Sequence, residues 1–513
     1  MRVAYMTSWR AIPVGLLLLC GGTAGCAPLV EGDAGEEWTR AVPGSQAPVD
    51  MSKESSGRKA PVLFPQPWAV CSDTAQRLRD IRPGLTGSQP QELARAGEVL
   101  VFSADDGVSG RELWASIDGA RQTLRLKDLR PGPAGSQPRN LTRVGPWVFF
   151  VADDGVHGAE LWRTDGTADG TVLVRDVRRG TVGAAPEFLT EVDGALYFTA
   201  DDGVSGRELW RTDGTEKGTE RVHDFLPGAG SLALSQLTAW GKGLALVSAN
   251  AAETVLWWVD RQGRPTRLFS QQGAGVIFGL TPAGRHLFFL LDPGTEQGEL
   301  WVARTAPPSA ERVRTFPGDY PAYLAALDDT LYFLAGASDW YGNPGDAVHG
   351  GELWRSDGSA QGTGLVGDLW PGPQGSMPKE LVALGGELYF TADDGVHGRE
   401  LWRTDGTAQG TMMVRDIAPG PVGSVPTGLK AESGWLFFSA ETAGHGREVW
   451  YSAGRPWVTS RLLDIAPGAA SSNPFNFVRA GFNIFFAASD GDRDQELYAV
   501  PFRPWWLCFS RDC

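Results

Sequence analysis

Long apolar runs are missing from this 513-residue sequence: beyond a short stretch at Ile12–Leu19, nothing is long and apolar enough to cross a bilayer as a helix. Positive charge is in deficit, with 46 Lys and Arg against 61 Asp and Glu and a formal net charge of −15. That balance excludes the clustered basic surface a phosphate backbone requires, so no nucleic-acid partner is expected. Cysteine is scarce, at five residues. There is no Gly-x-Ser-x-Gly elbow, His-Glu-x-x-His helix, Cys-x-x-Cys pair or phosphate-binding Gly-Lys loop. What is plentiful is glycine (67), proline (34) and tryptophan (20). So many turn formers predict many short strands rather than long helices.

Arg2 and Arg10, the run Ile12–Leu19 and the small residues ending Thr23-Ala24-Gly25 follow the order of a secretory signal, over residues 1–25. The small residues ahead of Cys26 resemble a bacterial lipobox, with Thr23 where Leu is usual. That resemblance implies acylation of Cys26 and a bacterial envelope protein, lipid-anchored in the outer membrane and touching the membrane only there; the alternative is a cleaved, soluble secreted protein. Residues 26–70, rich in Gly, Pro, Ser, Glu and Lys without strand or helix period, read as a flexible tether. In an oxidising compartment Cys71 is a candidate disulfide partner for Cys508 or Cys513, and the sequence leaves the choice between them open.

One unit recurs across residues 71–513. Marked by the Trp of Glu-Leu-Trp, copies fall at Trp114, Trp162, Trp210, Trp258, Trp301, Trp354, Trp402 and Trp450, with Tyr498 in the ninth. The step is 48 residues except around Trp301, where it is 43 and then 53. Within the copy starting at Pro378, strands are predicted at Glu380–Leu384, Leu388–Ala392, Glu400–Thr404 and Thr411–Ile417, joined by Asp- and Gly-rich loops. Gly385-Gly386, and Asp193-Gly194 in the third copy, suit tight hairpins. Four short antiparallel strands per unit predict the blades of an all-β propeller, with the Trp buried between blades. Arg77–Ile81 matches a fourth strand without its first three, and Asn476–Val500 supplies three strands without a fourth. An N-terminal strand completing the last blade would make nine blades; eight with one displaced unit is the alternative.

The run Glu400-Leu401-Trp402-Arg403-Thr404-Asp405-Gly406-Thr407, repeated fully at Asp165-Gly166-Thr167 and Asp213-Gly214-Thr215, resembles the signature of the ELWxxDGT-repeat family. The resemblance covers roughly residues 74–500. It implies an exported bacterial protein, often a lipoprotein, with a propeller-like fold, and it brings no catalytic residue set.

Alternating strand direction places the Asp-Asp-Gly loops and the blade-to-blade Pro-Gly links on one face, and the Asp-Gly-Thr turns on the other. The first face gathers Asp105, Asp106, Asp153, Asp154, Asp201, Asp202, Asp393 and Asp394, with His157, His349, His397 and His445. These Asp read first as turn formers and these His as loop-surface residues. The best local cation candidate is Asp490, Asp492 and Asp494, whose alternating carboxylates would suit Ca²⁺; no other cofactor is expected. Glu of Glu-Leu-Trp and Asp of the predicted fourth strand recur in nearly every unit. That recurrence marks them as structural acceptors rather than a catalytic pair, which is needed once. The repeat breaks at an insertion, residues 336–345, which makes Asp339, Trp340, Tyr341 and Asn343 the candidate ligand-binding residues. Repetition without a singular catalytic set points to a non-catalytic propeller scaffold binding a protein or polysaccharide. The alternative is an exported glycan-active enzyme, a hydrolase or lyase, with its site over the channel.

Overall fold

The computed structural model describes residues 68–70, 75–117, 120–225, 232–273, 275–295, 297–337, 346, 348–491 and 494–504, all within one compact unit, Pro61–Cys513. Nine antiparallel sheets follow one another along the chain as the blades of a β-propeller, eight of four strands and the last of three strands completed by two N-terminal segments. Blades 1 to 9 begin with the strands Gln91–Ala96, Arg139–Val144, Glu187–Val192, Ala233–Trp240, Val276–Ala283, Ala322–Leu327, Lys379–Leu384, Thr427–Glu432 and Phe475–Ala480. These first strands are innermost: each neighbours the first strand of the next blade, and that of blade 9 neighbours that of blade 1.

Both faces of each sheet are buried, because blades pack face to face. Second strands accordingly run nearly continuously apolar, as in Glu387–Asp393 with Leu388 and Phe390 fully buried. Nine apolar clusters result, one per blade interface; that between blades 9 and 1 joins Phe485, Leu497 and Ala499 to Leu100, Phe102 and Trp114. The repeated Trp belong to these clusters, with Trp114, Trp162, Trp210, Trp402 and Trp450 buried. They are core.

The fourth strand is shorter than the sequence predicts. In blade 7 it spans Met412–Arg415, where Thr411–Ile417 was expected. Thr411 belongs to the preceding turn, its hydroxyl bonded to Thr404 and to the carbonyl of Thr407. Beyond Arg415 the chain leaves the sheet because Glu400 draws in the amide of Ala418 at 3.0 Å. The recurring Asp therefore lies past the strand and not inside it; Asp80, Asp128, Asp224 and Asp464 pair back three residues to an Arg, as in Arg125–Asp128 at 3.1 Å.

That Glu is the fixed point of every regular blade. Glu400 is fully buried and accepts from the amides of Ala418 and Ser424 and from the Ser424 hydroxyl at 2.6 Å. Glu112, Glu352 and Glu448 hold the links after blades 1, 6 and 8 in the same way, through Ser136, Ser376 and Ser472. The link then passes against the loop between strands two and three. A Cβ on Gly398 (φ 68°) would lie 2.4 Å from the Gly423 nitrogen, so this crossing takes glycine.

Blade 9 obtains its outer edge from the chain's other end. Gln76–Arg77 pairs with Ala499 and Tyr498, a shorter strand than the expected Arg77–Ile81. The cause is again the Glu: Glu496 accepts from the amides of Arg82 and Ser88 and from the Ser88 hydroxyl at 2.6 Å. Residues 82–88 thus serve as the link after blade 9. Trp68–Val70, placed in the tether by sequence, is instead a strand paired with Phe502–Pro504. The ten-residue strand Gln495–Pro504 extends beyond the reach of Gln76–Arg77, and its further edge is covered by this second segment.

Replacing Glu496 with Ala leaves buried amides of the clasp unpaired, each costing about 1–3 kcal/mol. Amide hydrogen exchange is expected to accelerate selectively at Arg82 and Ser88, well before exchange in the strands of blades 2 to 8.

Candidate functional site

Most of the eye-catching polar residues have a partner within the scaffold. The second Asp of each Asp-Asp-Gly loop caps its own turn, as Asp394 accepts from the amides of Val396 and His397. In blades 1 to 3 the first Asp reaches the preceding link: Arg82–Asp105 at 2.9 Å, Arg130–Asp153 at 2.7 Å and Arg178–Asp201 at 2.8 Å. His157, His349 and His397 hold Asp154, Asp346 and Asp394 through Nδ1 at 2.7, 2.9 and 2.7 Å, and His445 holds Asp464 at 2.9 Å. Hydrogen bonding to the carboxylate raises the pKa of His157, His349 and His397.

The Asp-Gly-Thr turns are built the same way. Asp165 accepts from the amide and hydroxyl of Thr167, Thr167 accepts from the Gly170 amide, and Thr164 and Thr171 bond at 2.8 Å. The family-like signature is therefore a turn prescription.

Among the described residues no three His, Cys, Asp or Glu converge as a metal-holding group. Of the cation candidates, Asp490 and Asp494 face the Arg77 guanidinium at 3.1 and 2.5 Å, and Asp492 lies outside the described residues. Asp339, Trp340, Tyr341 and Asn343 also lie outside them, as do Cys26, Cys71, Cys508, Cys513 and the signal segment 1–25.

The repeated Glu is not equivalent in all blades. Blade 2 has Ala184 where the links after blades 1, 6, 7 and 8 carry Ser, so Glu160 accepts from backbone amides, those of Arg178 and Ala184 among them, and receives no hydroxyl. Burial, only partly offset by those amides, pushes Glu160 up to about 7. In blade 5, Glu299 turns to Arg312 and the Trp301 indole, both at 2.8 Å.

The feature that sequence reasoning missed lies on the innermost strands. One residue near the start of each is left-handed, the second of the strand except in blades 4 and 5, where it is the fourth: Glu92, Asn140, Phe188, Gln236, Tyr323, Glu380 and Asn476 have φ of 53–59°, and Gly279 and Gly428 have 66° and 68°. Each sits at a break in register with the second strand, as between Arg139 and Thr142. Such bulges re-aim a strand and recur at functional sites. In blades 2 to 5 a Thr two residues on donates to the bulge carbonyl, Thr142 to Asn140 at 3.0 Å for example. Glu92 and Glu380 also accept the amides of Leu141 and Leu429 in the next blade, at 3.1 and 3.3 Å.

Asn and Gly tolerate this conformation; Phe and Tyr do not favour it. Yet Phe188 and Tyr323 occupy it with 42% and 48% of their surface exposed. Two cavities open on this inner wall. One of about 460 Å³ is lined by Glu92, Asn140, Thr142, Glu187 and Phe188, with Leu141 and Leu189. The other, of about 720 Å³, runs from Gly428 and Lys430 past Phe475 and Asn476 to Gln91 and Glu92. The signal was present in the sequence as one repeat column holding two Asn and two Gly among longer side chains.

No protein-family model and no curated protein matches the chain. Among solved structures it is similar to a puromycin hydrolase, at 15% identity over 69% of this chain and 58% of that one, with a TM-score of 0.37. A prolyl endopeptidase aligns at 14% identity over 73% and 55%, TM-score 0.41. The β-propeller domain of the Trilobed protease from Pyrococcus furiosus aligns at 13% over 71% and 95%, TM-score 0.34. The chain thus spans less than two thirds of the length of the first two.

Two outcomes follow for stability. Glu160 is held above its ordinary value, so its contribution to stability is greatest at low pH and is lost as pH rises toward and through about 7. The raised His act in the same direction, so the test is differential. Ala184→Ser, which supplies the hydroxyl found in sibling blades, is expected to add about 1–2 kcal/mol at pH 8 and less at pH 5 in denaturant unfolding. Phe188→Asn relieves a left-handed aromatic and is expected to raise the melting temperature by about one degree, for about 1 kcal/mol; a fall in melting temperature would show that the Phe188 ring is needed for packing.

Proposed function

We propose that the chain is a non-catalytic binding module of the bacterial cell envelope, exported and lipid-anchored through Cys26. It holds its ligand, a protein or glycan, where the central channel opens among the Asp-Asp-Gly loops. The observation that carries this reading is the ring of left-handed residues. Seven non-glycine residues keep a conformation that glycine would adopt without strain, and two of them are exposed aromatics.

Three further features support it. Most of the repeated carboxylates have turn, link or Arg partners, which leaves the channel wall as the surface where blades differ. Ala335, which precedes the insertion in sequence, ends a second strand, as do the residues that enter the Asp-Asp-Gly loops. The chain enters the ring at the opposite end, where Trp68 pairs with Pro504, so covalent attachment leaves the Asp-Asp-Gly face open to a ligand.

The test is a photo-reactive benzoylphenylalanine in place of Asn140, in cells of the source organism. It is expected to capture a partner, while the same group at Ala168 on the opposite face captures none. Trp340→Ala with Tyr341→Ala is expected to lower capture at least tenfold without lowering the melting temperature. Equal capture from both faces, or none from Asn140, overturns the channel reading. Release of new reducing ends from polysaccharides by the purified chain would identify the exported glycan-active enzyme instead.

A further inference from the structure

Around the inner wall, the bulge positions of blades 8, 9, 1, 2 and 3 read Gly428, Asn476, Glu92, Asn140 and Phe188. Glu92 lines both cavities, so the two share a wall segment. A carboxylate stands at the centre with a carboxamide on either side. Aromatic rings mark the two outer parts, Phe188 in blade 3 and Phe475 in blade 9. Gly428 contributes no side chain and widens the larger cavity.

We infer that this wall binds a neutral oligosaccharide, an inference that rests on the channel reading above and names its ligand class. Sugar rings present two surfaces: an apolar C–H face suited to an aromatic ring, and an equatorial belt of hydroxyls that both donate and accept. Carboxamides do both as well, and Glu92, whose Oε2 takes the Leu141 amide, keeps its other oxygen to accept a hydroxyl, so Asn476, Glu92 and Asn140 match that belt across neighbouring blades. Phe188 offers only a face and an edge, with no polar group to satisfy. Its exposure in a left-handed backbone has no counterpart in the packing of the blades, whereas stacking on a sugar gives the ring a partner. Charge argues against uronates, because the smaller cavity is lined by Glu92 and Glu187 and by no cation.

The full chain is titrated calorimetrically with neutral gluco-, manno-, galacto- and N-acetylglucosamine hexasaccharides, with oligogalacturonate and hexalysine as charged probes. At least one neutral hexasaccharide is expected to bind. Phe188→Ala is expected to weaken it tenfold or more, Phe188→Trp to retain it, and Trp457→Ala, at an exposed turn on the opposite face, to leave it unchanged. Circular dichroism of each variant confirms the fold. Silence of every neutral sugar, binding of hexalysine or oligogalacturonate alone, or indifference of the sugar to Phe188→Ala overturns the inference. If the sugars are silent while the Asn140 probe still captures a partner, only the ligand class has failed. If neither sugar nor probe reports binding, the channel reading has failed with it.

Discussion

A buried carboxylate that gathers backbone amides is the interaction on which the ring depends. A chain leaving one sheet for the next must bend away from the ladder, and the amides it frees lie at the edge of an apolar interface. Water is excluded there, and unpaired amides would be costly. Glu112, Glu352, Glu400 and Glu448 each take two or more of those amides together with a Ser hydroxyl. In these blades one acidic residue therefore fixes where the link turns, and with it the angle at which the next blade is laid down. Desolvation raises the pKa of these groups, and the amides and hydroxyls counter the shift. Blade 2 illustrates the balance, since loss of one hydroxyl at Ala184 leaves Glu160 near neutrality.

Basic side chains on the outer strands add a second connection between blades. Lys127 donates to the carbonyl of Thr171 at 2.8 Å and Arg175 to that of Thr219 at 2.5 Å, each reaching into the next blade's turn. Arg79 does the same to Thr123 at 2.9 Å, so the N-terminal segment joins blade 1 as any outer strand would. Closure of the ring thus reuses the contacts of its interior, and the seam between blades 9 and 1 is chemically like the other joints.

Much of this was legible in the sequence. The period, the strand count, the hairpin glycines and the orphan fourth strand define nine blades and a clasp because each is a local pattern repeated many times. The fate of the Trp and Asp followed from the same logic: a residue needed in every unit serves the unit. Two things were not legible. The length of the fourth strand depends on a hydrogen bond from Ala418 back to Glu400, which residue pattern does not reveal. The left-handed column, from Glu92 to Asn476, hides because its residues share a backbone conformation rather than a side-chain type. A search for shared chemistry passes over a position where Asn, Glu, Gln, Phe, Tyr and Gly are all found.

The clasp also bears on how this protein comes to be folded. Ser88 and Glu496 meet across 408 positions of sequence. During synthesis the strand that completes the last blade is made first and must wait for nearly everything else. Until then the growing blades form an open arc whose two ends each expose one apolar sheet face. Loop-closure entropy rises slowly with length, so the delay matters more than the distance. A chain made amino end first therefore carries its own fastener in hand, and its vulnerable interval for aggregation or proteolysis ends only when the carboxyl end arrives to be fastened.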